Sequence, residues 1–304
     1  MKKYFFFVCL GISGLLNAQE HFGGINFSAR TGVLNGIMNP AELTNLSSNF
    51  ELQFFATSFG LSNNKIGIED FSGDSNFEEI IFDGDEPVNL RFDSELLGPG
   101  VAFRWNKWSF GANTRAFVKF NLIDIDTSIG DAIANTGVNS LPGSTSIVLS
   151  DENQRLNGVS WGEIGFSAAR KIYDGESSSV NAGATLKLLF PGSYANFGLD
   201  NLSGTITNAG TTSYLNNVNN ANLNIEYSGN LGNDFTSNQD YFQSLFGKLS
   251  GFGFDFGLNY RLNKSSDDNK KNYLINAGFA MRNVGSMTFK DDNNSSTNYV
   301  LNIE

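Results

Sequence analysis

The feature that most constrains this chain is a two-residue alternation of apolar and polar side chains, clearest over residues 100–121. Trp108, Phe110, Ala112, Thr114, Ala116, Val118 and Phe120 share one face, while Ser109, Gly111, Asn113, Arg115, Lys119 and Asn121 share the other. That is the periodicity of a strand. Only Phe117 breaks the phase. Pairing across a two-residue turn at Asn106-Lys107 sets Trp105 opposite Trp108 and Phe103 opposite Phe110, so both strands show one apolar face. Such a ribbon must lay that face on a second sheet or on lipid.

The pattern recurs along the chain. Residues 50–62 read as a first strand, and 159–171, 180–190, 252–262 and 273–283 as later ones, with another beginning near 298–303. Residues 63–97 read as an acidic loop, 122–158 as a polar connection with a turn at Pro142-Gly143, and 191–251 as an Asn-rich excursion. The excursion carries a small hairpin near 222–228 and an amphipathic turn at Tyr241, Phe242, Leu245 and Phe246. With 33 Gly and 28 Phe at only 40% apolar content, the composition is that of many strands joined by polar loops.

Residues 1–18 carry two lysines, an apolar run and a small residue, Ala18, before Gln19, the form of a cleaved secretory signal peptide. Cys9 lies inside that run without the small residues that precede a lipid-modified cysteine, so the mature chain is expected to lack a thiol. No later stretch approaches the roughly 18 consecutive apolar residues of a spanning helix. A mature chain in a membrane would therefore cross it as a barrel. The net charge of −11 argues against nucleic acid as a partner.

Asn39-Pro40-Ala41, after the leader and before the first strand, resembles the motif of the N-terminal hatch in the FadL-like superfamily of outer-membrane barrels. Asn39 also suits the cap of a short helical turn begun by Pro40. The wider context Ser28-Ala29-Arg30-Thr31-Gly32 and Asn39-Pro40-Ala41-Glu42-Leu43 is similar to an uncharacterised, Bacteroidetes-type family of such barrels. The runs 252–262 and Met281-Arg282-Asn283-Val284-Gly285 resemble strands of FadL-like and type IX secretion-associated barrels.

The fold expected is thus all-β: a transmembrane, antiparallel, up-and-down barrel with an N-terminal hatch over 19–48 and barrel strands over 49–304. Strands reach the ~9–11 residues needed to cross a bilayer. Long connections alternate with short ones at 106–107, 173–178 and 263–271, as when one barrel end is periplasmic. Trp105, Trp108, Tyr173, Tyr260 and Tyr273 flank the short turns, where a headgroup interface favours aromatic rings. Seven strands and an eighth at the C-terminus are fewer than the resemblance implies, so the chain is expected to be the N-terminal part of a larger barrel. The competing reading is a soluble secreted β-sandwich adhesin, which also alternates.

In the barrel the opposite phase lines the lumen: Arg104, Arg115, Lys119, Glu163, Lys187, Asp255, Arg261 and Arg282, with Asn113 and Asn259. Six bases against two acids suggest a solute bearing a carboxylate. The alternative is that these residues pair across the interior, Arg115 or Lys119 with Glu163 for instance. No metal, cofactor or enzymatic activity is expected, since His21 is the only histidine and no nucleophile or phosphate-binding motif occurs. The resemblance implies an outer-membrane protein among lipid and lipopolysaccharide that passes or binds a hydrophobic or carboxylate-bearing small molecule. A non-transporting barrel that scaffolds the envelope or receives secreted proteins is the alternative.

Overall fold

The computed structural model describes residues 21–22, 25, 32–71, 77–128, 145–150, 153–208, 213–228, 245–263, 273–289 and 295–303. The leader over 1–18, the Pro142-Gly143 turn, and Tyr241 and Phe242 lie outside them.

The chain is all-β and antiparallel. The main sheet holds β1 (Phe50–Gln53), β2 (Ala56–Asn63), β3 (Val88–Trp105), β4 (Trp108–Ile125), β6 (Asn153–Asp174), β7 (Ser178–Asp200), β10 (Val218–Tyr227), β11 (Gly251–Asn263), β12 (Tyr273–Met287) and β13 (Ser295–Ile303). A second small sheet joins β5 (Thr145–Leu149), β8 (Ser203–Asn208) and β9 (Ser213–Asn216). The short helix α1 (Gly32–Met38) leads into a 3-10 turn, Pro40–Asn45, and α2 (Phe77–Phe82) lies in the β2–β3 connection.

The opening hairpin has the register its alternation predicts, with Trp105 opposite Trp108 and Phe103 opposite Phe110. Asn106 takes the positive φ of 56° that its tight turn requires. Asn201 and Asn217 do the same, at 57° and 54°, where β7 turns toward β8 and β9 toward β10.

Two expectations about the strands are corrected. Residues 88–97 are not loop but the first half of β3, which runs for 18 residues. A register irregularity between Leu97 and Gly100 reverses the phase there, so the alternation across the whole strand looks broken. Likewise β7 does not stop at Phe190. It continues through Pro191 to Asp200, and Pro191 faces Trp161 at an irregularity in the β6 pairing. Pro191 also falls where the second neighbour changes, because β11 pairs with β7 as far as Leu189 and β10 takes over at Ala195. A proline lacks a ladder donor, and this gap in the pairing is a place where none is needed.

Among the described residues β1 and β2 pair only with β3, β12 only with β11, and β13 only with β10, so the main sheet has a free edge on each side.

On several strands of this sheet the apolar phase is exposed and the polar phase buried. On β11, Phe252, Phe254, Phe256, Leu258 and Tyr260 are 42–54% exposed, while the alternate Asp255 and Asn259 are at most 2% exposed. Phe59, Phe103, Phe166, Leu186 and Phe279 are exposed as well, whereas Glu95, Glu163 and Lys187 are buried.

Candidate functional site

Part of the polar face is covered by the segment 32–46, laid against it. Its anchor is Asn39, in extended conformation with φ −144° and ψ 109°, whose Oδ1 accepts from Ala41 N at 3.0 Å and so caps the 3-10 turn. The Nδ2 of the same amide donates to the carbonyls of Leu258 (3.0 Å) and Phe279 (3.5 Å), which face each other on β11 and β12. One side chain thus begins the 3-10 turn and ties it to two strands.

The seat is made of glycine. A Cβ at Gly183 on β7 would lie 2.5 Å from the Pro40 carbonyl carbon, and one at Gly278 on β12 would lie 2.8 Å from Asn39 Nδ2. At Gly257 on β11 a Cβ would overlap Asn39 Oδ1. Side-chain-free backbone on three neighbouring strands therefore admits the Asn-Pro-Ala turn. Around it, Glu42 Oε1 accepts from Asn259 (2.6 Å) and Asn276 (3.1 Å), and Arg261 lies 3.9 Å from Glu42 Oε2. Asn259 Oδ1 in turn accepts from the fully buried Asn181 at 3.0 Å. Val33, Leu43 and Leu46 pack on Ala102 and Ala169 at one flank, and Arg104 donates to the Leu46 carbonyl.

Farther along the same strands lies a ladder of ions. Arg115 on β4 reaches Glu95 on β3 at 2.6 Å and Glu163 on β6 at 3.5 Å, and Lys187 on β7 reaches Glu163 at 3.9 Å and Asp255 on β11 at 2.8 Å. These five side chains are less than a tenth exposed, so each charge depends on its neighbours for compensation. Asn283 extends the ladder to β12: its N–H donates to Asp255 at 2.7 Å and its Oδ1 accepts from Lys187 at 2.5 Å. Asn283 takes φ 59° at an irregularity opposite Asp255, and this local bulge aims it inward. The inner face thus gains Asp93, Glu95 and Glu42, which the six-to-two count of bases over acids left out. Lys119 lies 3.9 Å from Asp93, so the basic excess is largely matched.

Phe117, the residue that broke the phase, faces inward. Its ring stacks on Trp161 at 4.5 Å, with Arg115 over it at 4.6 Å and Lys119 over the indole at 5.7 Å. This aromatic pair forms one wall of a cavity of about 390 Å³, closed by Met38 from the inlaid segment and by Leu189, Lys119 and Arg282. His21 reaches the same cavity and lies 2.8 Å from Ser58 on β2.

All eight expected lumen residues map to the inner face or its inlay. Arg282 donates to Met38 Sδ at 3.2 Å, and Arg104 and Arg261 hold the seat. Trp105, Trp108, Tyr173 and Tyr260 are exposed beside the short turns. Tyr273 differs. A register irregularity beside Leu262 turns it toward Arg261, whose guanidinium lies 4.8 Å from its ring centroid. The glycine seat and Trp161 were missed, although glycines at inward-phase positions of three consecutive strands are a readable sign of close backbone approach.

The fold and site define an antiparallel β protein with a polar inner face, an ion ladder, and an N-terminal segment inlaid over glycines. A family of unknown function, DUF5723, matches residues 40–303, and the chain belongs to that family. No curated protein and no solved structure matches it.

Proposed function

We propose that this protein is an exported outer-membrane β-barrel of the FadL-like type, stoppered by residues 32–46, whose interior cavity takes a small hydrophobic molecule bearing a carboxylate. The observation that carries this reading is the inversion of burial on β11: exposed Phe252, Phe254, Phe256 and Leu258, with buried Asp255 and Asn259 between them. In water such an apolar surface is costly, at about 25 cal/mol per Å². Against lipid that cost vanishes, and polar groups belong inside. The free edges at β2 and β12 are what a barrel must satisfy, since an open edge has no place in a bilayer. The aromatic wall of Phe117 and Trp161 suits a hydrophobic body. Lys119 and Arg282 line that cavity beside the aromatic pair, and cationic groups there suit an acidic head.

Two measurements test it. Cell envelopes are extracted with detergent and run unheated and heated on a gel; heat-modifiable mobility supports the barrel, and full release in aqueous buffer overturns it. Liposomes holding the protein are then offered a fluorescent fatty acid. Uptake that rises when Asn39 is replaced by Ala supports a conduit. A second reading, a non-transporting envelope scaffold, draws on the many polar bonds that hold residues 32–46 in their seat. Uptake absent in both proteins favours that reading.

A further inference from the structure

At the end of the sheet remote from the short turns, five strands contribute one asparagine each to a row: Asn121 on β4, Asn157 on β6, Asn196 on β7, Asn224 on β10 and Asn298 on β13. Asn121 donates to Asn157 at 2.8 Å, Asn196 to Asn224 at 2.8 Å, and Asn224 to Asn298 at 2.7 Å, while Asn157 and Asn196 are register partners. The last three amides line a cavity of about 670 Å³ together with Arg155, Tyr194 and Glu226. That volume falls within the ~300–1,000 Å³ of small-molecule sites. The lining does not: such sites are mostly apolar, and this one is mostly polar, with asparagine its commonest residue.

The chemistry of the row selects its ligand. A carboxamide has two donors and two acceptor lone pairs, and a bond along the row uses one of each. Asn224 also gives an amide hydrogen to Glu226 at 3.4 Å, so what remains is above all a line of amide oxygens repeating at the strand spacing of ~4.8 Å. A hydroxyl both donates and accepts, so a row of hydroxyls meets that line without a charge being buried. Arg155 and Glu226 bring opposite charges to the cavity wall, with Glu226 Oε1 accepting from Asn224 (3.4 Å) and Ser296 (3.2 Å) and Arg155 donating to Asn153 (3.3 Å), and Tyr194, packed on Phe289 with ring centroids 5.9 Å apart, offers an aromatic flank. A metal ion is a poor match, because among the described residues no three His, Cys, Asp or Glu come together.

We propose that this cavity binds a neutral polyhydroxylated ligand, an oligosaccharide in free form or as the headgroup of a membrane glycolipid. The site rests on the sheet geometry and stands whether or not the sheet lies in a membrane. The test uses the whole purified chain in detergent, titrated by calorimetry with maltotriose, cellotriose and triacetylchitotriose. In parallel, phosphatidylethanolamine vesicles with and without lipopolysaccharide are floated with the protein. Binding of any trisaccharide, or flotation that lipopolysaccharide increases and free sugar competes away, is the expected result; the first points to a free sugar and the second to a glycolipid. N224A and the milder E226Q should each weaken that binding at least tenfold with an unchanged melting temperature for E226Q. No binding in either arm, or binding that E226Q and N224A leave unaltered, overturns the proposal. Because it reads sugar affinity and not heat-modifiable mobility, its failure is distinct from failure of the barrel reading.

Discussion

Two regions of this molecule obey opposite burial rules. Along β3, β4, β6, β7 and β11 the interior is ionic and amide apart from the pair of Phe117 and Trp161, while Phe103, Trp105, Trp108, Phe166 and the alternate phenylalanines of β11 are exposed. At the far end, Leu202, Val218 and Ala221 are buried and pack with Leu199, Ile206, Leu215 and Leu301 as an ordinary apolar cluster. The apolar phase is thus exposed in one region and buried in the other. The far-end cluster is stabilised by expelling water. The ionic region is held by charge compensation and by the inlaid segment.

That contrast can be broken most sharply at Lys187. K187M removes the cation shared by Glu163 and Asp255, leaving buried Asp255 without a cation and Glu163 with Arg115 alone, a loss of about 3–5 kcal/mol. Equilibrium unfolding in detergent should show it, and a loss below ~1 kcal/mol would mean that water reaches the ladder. Next is the outer face: F256K should cost about 2–4 kcal/mol when the protein is refolded into bilayers, as for a cation facing lipid. The same change should cost nothing or raise solubility if the face meets water. In the far-end cluster, L202A should cost about 2–3 kcal/mol by leaving a cavity. It should speed proteolysis over residues 195–227 while residues 32–46 stay protected. Co-loss of both protections would show that the two regions unfold as one. The smallest effect is expected at Asn39, where N39A removes a cap worth about 1 kcal/mol and two ties to the strands. Cysteine labelling of residues 40–45 should report a loosened segment with the strands intact.

Glycine substitution sharpens the comparison from another side. A Cβ at Gly198 in the far-end region would sit 3.6 Å from Asn224 Cβ, ordinary contact, so G198A should fold as before. At Gly257 a side chain meets Asn39, and G257V should expel the inlaid segment.

Much of the strand layout was legible, because a period of two appears in the residues themselves. Residues 252–262 and 108–120 announce both their strand and its polar face. The Asn39 cap was legible for the same reason, being a contact of residue with residue two positions on. Residues 88–97 were not. Phe92-Asp93-Ser94-Glu95-Leu96 does alternate, but the reversal of phase between Leu97 and Gly100 hides its continuity with Phe103 and Trp105. Nor was the extension of β7 past Pro191, since a proline signals an end unless one knows that its neighbour strand also ends there.

By itself, then, the sequence determined where strands run, which phase is apolar, where the tight turns fall and which asparagine begins the inlaid turn, all consequences of interactions within a few residues. Only the tertiary structure decided that Glu95, Arg115, Glu163, Lys187 and Asp255 form one ladder, that Gly183, Gly257 and Gly278 form one seat, and that five asparagines form one row. Each of these joins strands far apart in the chain. Their partnership depends on register, and a shift of a single residue in one strand would turn every one of its side chains to the opposite face.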